Sequence, residues 1–149
     1  MNVSGRQFLE SDVAGLFAGL LAEYGVPCEG VLVEVTETVA IGDSAAAELD
    51  ALRAMGLRIA LDDFGAGFSS LGALRRLPAD VVKFDRSLLP DGARSDAQAR
   101  FYSNLVAAIR GLGFQVVAEG IETEAQRMLA ANAGADLLQG YRIGRPAPA

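Results

Sequence analysis

Short apolar runs alternate along this chain with longer amphipathic stretches. The runs are Val31-Leu32-Val33-Glu34-Val35, Arg58-Ile59-Ala60-Leu61-Asp62, Asp80-Val81-Val82-Lys83-Phe84 and Gln115-Val116-Val117-Ala118-Glu119. Their length and β-branched content predict buried strands of a parallel sheet. Leu137-Leu138-Gln139 is a weaker strand candidate, and Asn2-Val3 reads as the stub of another. Between the runs, apolar residues three and four apart predict helices over Gln7 to Tyr24, Ser44 to Met55, Ser70 to Leu77 and Asp96 to Arg110. Gly25 and Gly56 are stops, and Pro78 ends the third helix. Thr123-Glu124-Ala125-Gln126 fits a capping box that opens a last helix ending near Gly134. Strand alternating with helix makes the class α/β, with parallel strands and right-handed crossovers.

Each strong strand ends in a residue that is costly to bury: Glu34, then Asp62 and Asp63, Lys83, and Glu119. In parallel α/β folds the C-terminal strand ends share one rim, where ligands bind. Four carboxylates and a lysine would therefore meet there, and such a cluster repels itself unless cations or protons intervene.

Composition narrows the chemistry. The chain has no histidine and a single cysteine, Cys28. That removes histidine bases, serine–histidine triads, disulfides and most zinc sites, and suits a reducing cytoplasm. An all-oxygen ligand set favours Mg²⁺ or Mn²⁺, and the adjacent Asp62-Asp63 suits two ions, the standard device for phosphodiester cleavage. The 149 residues carry a net charge of −6, a poor footprint for a nucleic acid polymer. They fit one domain, 1–149, with no apolar run long enough for a membrane span. The Gly-rich segment Phe64-Gly65-Ala66-Gly67-Phe68-Ser69-Ser70 reads as a lid or tight turn more than a phosphate cradle.

These residues resemble the EAL-type cyclic di-GMP phosphodiesterase domain of bacterial signalling proteins. The resemblance runs through Asn2-Val3-Ser4, Val33-Glu34-Val35-Thr36-Glu37-Thr38, Ala60-Leu61-Asp62-Asp63-Phe64-Gly65-Ala66-Gly67-Phe68-Ser69-Ser70-Leu71 and Val82-Lys83-Phe84-Asp85-Arg86-Ser87. Val117-Ala118-Glu119-Gly120-Ile121-Glu122-Thr123 and Gln139-Gly140-Tyr141-Arg142-Ile143-Gly144-Arg145-Pro146 complete it, in order along nearly the whole chain. It implies a TIM-like (β/α)₈ barrel that opens one ester bond of cyclic di-GMP to give pGpG. It also implies metal ligands at Asn2, Glu34, Asp62, Asp63 and Glu119, with Asp62 bridging two Mg²⁺ or Mn²⁺ ions. Lys83 would position or help deprotonate the attacking water, and Glu119 would share in catalysis. Glu37 would anchor the loop from Asp63 to Ser70, and Asp85 and Gln139 would lie beside the substrate.

The glutamate of the Glu-Ala-Leu that names the family, and its neighbouring arginine, have no counterpart in this sequence. A (β/α)₈ barrel takes at least about 200 residues, so the expectation is an incomplete barrel with about the last six βα units. The chain is then either a fragment or a shortened protein. Hydrolysis by it is expected to be weak or undetectable, the alternative being a catalytically inactive cyclic di-GMP-binding or protein-interaction module. Open sheet edges and apolar helix faces predict a homodimer or larger species.

Overall fold

The computed structural model describes residues 1–36, 43–67, 74, 77–90 and 96–145. The elements are α1 (Gly5–Glu10), α2 (Val13–Tyr24), β1 (Leu32–Thr36), α3 (Asp43–Ala54), β2 (Arg58–Phe64), β3 (Val81–Phe84), α4 (Asp96–Gly111), β4 (Gln115–Ala118), α5 (Glu124–Ala133) and β5 (Leu137–Leu138). The strands pair in chain order, β1 to β5. The chain divides into two compact units, one of residues 1–62 and 69–81, the other of residues 63–68 and 82–149. The predicted helix from Ser70 to Leu77 lies largely outside the described residues.

In the first unit β1 and β2 run parallel, with Val33 opposite Ile59, Glu34 opposite Ala60, Val35 opposite Leu61 and Thr36 opposite Asp62. Side chains alternate faces along a strand, so Val33, Val35, Ile59 and Leu61 share one face, fully buried. Glu34, Ala60 and Asp62 share the other. On the far side of β1, Asn2 makes an isolated parallel bridge to Glu34. Glu34 N–H donates to the Met1 carbonyl (2.8 Å) and Val3 N–H to the Glu34 carbonyl (3.0 Å). The strand stub read at Asn2-Val3 is thus present. Helices α1 and α2 pack on α3, burying Phe8, Val13 and Phe17 with Leu49 and Leu52.

The single helix expected from Gln7 to Tyr24 is two. Ser11 is extended (φ −142°), and the Asp12 carboxylate accepts from Gly15 N–H at 2.8 Å, capping α2. The apolar period continues across the break. A carboxylate that satisfies orphan helix N–H groups nevertheless makes a new start cheaper than continuing.

In the second unit Asp85 N–H donates to the Phe64 carbonyl and Glu119 N–H to the Phe84 carbonyl, at 3.0 and 3.1 Å. β4 and β5 are parallel, with Val117 opposite Leu137 and Ala118 opposite Leu138. β2 runs two residues further than the sequence pattern predicts, as the Phe64 ring stacks on Phe84 with centroids 5.5 Å apart. Phe84 meets Tyr102 of α4 edge-on at 5.8 Å. Tyr102 is fully buried and its hydroxyl has no hydrogen-bond partner, so burial pushes its pKa up to about 12. The Thr123–Gln126 capping box opens α5 as predicted, and Gly134, in the left-handed region, closes it.

Candidate metal and substrate site

Each unit carries its own polar residues on the strands or directly after them. In the first unit, Glu34 and Asp62 lie on one face of the β1–β2 pair, with Asn2 in register beside Glu34. In the second, Lys83 is buried within β3, and its Nζ is 2.9 Å from Oε1 of Glu119, the residue that follows β4. Only 6% of the Lys83 side chain and 17% of the Glu119 side chain are exposed. Removing one member of such a pair leaves a charge stranded in a poorly solvated place. The pair holds the ammonium group against a carboxylate that belongs to a larger acidic group.

Asp63 supplies the next carboxylate. One of its oxygens lies within 4.8 Å of a Glu119 oxygen, and one within the same distance of its chain neighbour Asp62. Among the described residues Asp63 alone, apart from glycines, has positive φ, at 56°. The turn is closed by Ala66 N–H donating to the Asp63 carbonyl at 3.1 Å. A non-glycine residue in the left-handed region carries a backbone cost, smaller for aspartate than for most residues. The donors are all hard oxygens, which fits a hard divalent cation and not a thiolate- or imidazole-seeking metal.

The other residues singled out by sequence land as follows. The Asp85 carboxylate accepts from Ser87 N–H at 2.9 Å and caps the 3₁₀ turn Arg86–Leu88. Burial pushes its pKa up, but the bonds from Ser87 and Arg86 and the Arg86 charge outweigh that and hold it below the usual value. Gln139 is exposed at the end of β5, its backbone tied to Ala118 and Ile121. Thr123 caps α5 instead of facing a ligand. Glu37 and residues 68–70 of the predicted loop lie outside the described residues.

One signal passed unread in the sequence. The stretch Arg53-Ala54-Met55-Gly56-Leu57-Arg58-Ile59-Ala60-Leu61-Asp62-Asp63 returns as Arg110-Gly111-Leu112-Gly113-Phe114-Gln115-Val116-Val117-Ala118-Glu119-Gly120. Ala79-Asp80-Val81-Val82-Lys83-Phe84-Asp85-Arg86 returns as Ala135-Asp136-Leu137-Leu138-Gln139-Gly140-Tyr141-Arg142. Site positions therefore correspond: Asp62 with Glu119, Lys83 with Gln139, Asp85 with Tyr141. Asp63 corresponds to Gly120, whose φ is 65°. The left-handed turn is thus a property of both copies, and in one of them an aspartate occupies it.

The sequence matches the EAL domain family over residues 1–146. This chain belongs to the EAL domain family. Its α/β fold is accordingly the TIM-barrel type of that family, present as the Asn2 stub and five parallel strands. Among its relatives, MucR of Pseudomonas aeruginosa, a bifunctional diguanylate cyclase/cyclic di-GMP phosphodiesterase, is 39% identical over 151 residues, covering all of this chain and 22% of MucR. The cyclic di-GMP phosphodiesterase RocR from the same organism is 36% identical, covering 99% of this chain and 38% of RocR. The solved PaMucR phosphodiesterase, in complex with c-di-GMP, superimposes with a TM-score of 0.89 at 39% identity, over 99% of this chain and 61% of that one. The manganese and c-di-GMP complex of Klebsiella pneumoniae BlrP1 gives 0.89 at 35%, over 99% of this EAL domain and 38% of BlrP1. This chain spans less than two thirds of each of these proteins. Among the described residues of this EAL domain, no helix is long and apolar enough to cross a membrane.

Proposed function

We propose that this EAL domain is a Mg²⁺- or Mn²⁺-dependent phosphodiesterase domain that opens one ester bond of cyclic di-GMP to give pGpG. The observation that carries the proposal is the Lys83–Glu119 pair beside the strained Asp63 carboxylate. Asn2, Glu34 and Asp62 would hold one ion, and Asp62, Asp63 and Glu119 the second. Divalent ions there would neutralise phosphate charge and lower the pKa of the attacking water. Lys83, held by Glu119, would fix that water by hydrogen bonding at Nζ. Glu37 would anchor the loop after Asp63, and Gln139 and Asp85 would contact the substrate. The cyclic di-GMP complexes of MucR and BlrP1 support the substrate, and the manganese in BlrP1 supports the ion. A homodimer or larger species in the cytoplasm is the setting this reading implies.

Melting the chain with EDTA or with millimolar Mn²⁺, followed by incubation with cyclic di-GMP, tests the proposal. A ligand at about 100 times its Kd adds about 2.7 kcal/mol, or roughly 5–10 °C for a chain of this size. That rise is expected for the wild type, and its loss in Asp63→Asn and Glu119→Gln. Turnover to pGpG should be weak and should vanish in Lys83→Met. Ca²⁺ should raise the melting temperature without supporting turnover, because its looser geometry misplaces the water. Identical melting with EDTA and Mn²⁺ would sink the proposal. Tight cyclic di-GMP binding with no turnover under any metal would leave a silent binding module instead.

A further inference from the structure

The 3₁₀ turn Arg86–Leu88, just after β3, stands between two left-handed glycines. Gly65 (φ 100°) lies two residues after Asp63, and Gly120 (φ 65°) directly follows Glu119. Neither has room for a side chain. A Cβ on Gly65 would run into Cγ and both Cδ atoms of Leu88, and one on Gly120 into Cβ of Arg86. The turn itself is closed by its own hydrogen bonds. Leu88 N–H donates to the Asp85 carbonyl at 3.0 Å, Leu89 N–H to the Arg86 carbonyl at 3.1 Å, and the Asp85 carboxylate caps it through Ser87 N–H. The flanking backbones are tied to the same strand, since Asp85 N–H donates to the Phe64 carbonyl and Glu119 N–H to the Phe84 carbonyl. All of these residues belong to the second unit.

The two segments that this turn touches each carry a carboxylate, and an Asp63 oxygen lies within 4.8 Å of a Glu119 oxygen. Glu119 is fixed by Lys83 Nζ at 2.9 Å. Asp63 is exposed, so its place depends on how the backbone through Phe64 and Gly65 is seated. A leucine side chain pressed onto the Gly65 Cα is a steric stop, because close-packed atoms do not interpenetrate. Mg²⁺ demands near-ideal ligand geometry at about 2.0–2.1 Å, whereas Ca²⁺ accepts a flexible shell at about 2.3–2.6 Å. Rigidity between two ligands therefore discriminates between the ions. We infer that Leu88 is a positioning residue whose side chain, seated on Gly65, fixes the Asp63 carboxylate relative to Glu119 and so favours a small divalent cation over Ca²⁺. This rests on the metal reading above and deepens it.

Calorimetric titration of the chain with Mg²⁺ and with Ca²⁺, without nucleotide, reads the ratio of the two affinities. Leu88→Ala removes the stop and should weaken Mg²⁺ binding on the order of 10-fold, with a smaller loss for Ca²⁺, so the ratio falls. Leu88→Met refills the space with a side chain of similar volume and should restore the ratio. Leu88→Val should lower it in the same direction by less, and it carries the test if the alanine variant does not fold. Arg86→Ala keeps the Cβ that meets Gly120 and should leave the ratio unchanged, because a lost guanidinium charge acts alike on both divalent ions. An unchanged ratio in Leu88→Ala and Leu88→Val, with only a lower melting temperature in EDTA, would make Leu88 a packing residue. That would overturn the inference and leave the phosphodiesterase reading standing. A ratio that falls as far in Arg86→Ala would place the effect in charge, which also overturns it. Binding of neither ion by the wild type overturns the metal reading and the inference together.

Discussion

The two ends of these strands use the same kind of side chain in opposite ways. Just before β3, Asp80 Oδ2 accepts from Ile59 N–H at 2.9 Å, Asp80 N–H returns a bond to the Ile59 carbonyl at 2.8 Å, and Oδ1 takes Arg53 at 2.9 Å. Just before β5, Asp136 repeats the arrangement with Val116 N–H (2.8 Å), the Val116 carbonyl (2.9 Å) and Arg110 (3.0 Å). Each device is complete inside one unit, and each locks the start of one strand to the next. At the other end, within the second unit, a carboxylate oxygen of Asp63 lies within 4.8 Å of one of Glu119, and Asp63 has a positive φ of 56°. The N-terminal carboxylates are spent on tying strand to strand, whereas Glu119 takes the buried Lys83 and lies beside the Asp63 carboxylate. That is the division expected of parallel strands whose ligands bind at their C-terminal ends.

The largest expected effect comes from breaking the first group. Asp136→Ala leaves Val116 N–H, at a fully buried residue, without its charged acceptor. Loss of a charge-assisted bond to a buried donor costs about 2 kcal/mol, or roughly 4–8 °C in melting temperature. The half-exposed Arg110 adds little to this. Asp80→Ala should cost a similar amount through Ile59. In both, the rise in melting temperature brought by Mn²⁺ should survive. A variant that melts like the wild type, or one that loses the Mn²⁺ response, would erase the distinction between the two ends.

Asp63→Gly should act with the opposite sign. Gly120 already holds the corresponding turn with φ 65°, so the backbone at 63 accepts glycine without change. Relieving a non-glycine left-handed residue and removing one charge from the acidic group should stabilise the metal-free chain by about 1 kcal/mol. The Mn²⁺ response should disappear at the same time. Thermal melts with EDTA and with Mn²⁺ read both halves, and destabilisation without metal would mean that the carboxylate holds the fold together.

Much of this was legible in the residues, for identifiable reasons. The four β-branched runs and the Thr123–Gln126 box announce themselves because burial on both faces and a reciprocal cap are local patterns. Even the two-residue β5 followed from Leu137-Leu138. The break at Ser11-Asp12 was hidden because periodicity is blind to a cap that competes with helix continuation. The work of Asp80 and Asp136 was hidden because their partners, Ile59 and Val116, are brought near only by strand pairing. Each is preceded by alanine and followed by two apolar residues in the two copies of the repeat, so a search for self-similarity would have found them. The carboxylates at the C-terminal ends stood out by being costly where they are. The left-handed backbone of Asp63 was readable only from Gly120 in the matching position.

Asp85 sharpens the comparison, because it follows β3 at the C-terminal end yet behaves like an N-terminal carboxylate. Its side chain caps the Arg86–Leu88 turn through Ser87 N–H. Burial raises its pKa, and the bonds from Ser87 and Arg86 with the Arg86 charge lower it further than burial raises it. A carboxyl whose folded pKa lies below its unfolded value contributes stability that is fully present above the unfolded value and lost as pH falls through the folded one. The unfolded reference is 3.8, so the window lies at and below that pH. Loss of the cap in Asp85→Ala should cost about 0.5–1 kcal/mol at pH 7. Urea midpoints should show the gap from the wild type narrowing steadily as pH drops below 3.8. A gap that is constant with pH would mean that the charge plays no part in the cap. Asp85→Asn keeps an acceptor for Ser87 and so should hold the pH 7 midpoint. If that variant nonetheless binds cyclic di-GMP more weakly, Asp85 serves the ligand as well as the turn, and the boundary between the two ends runs through this single side chain.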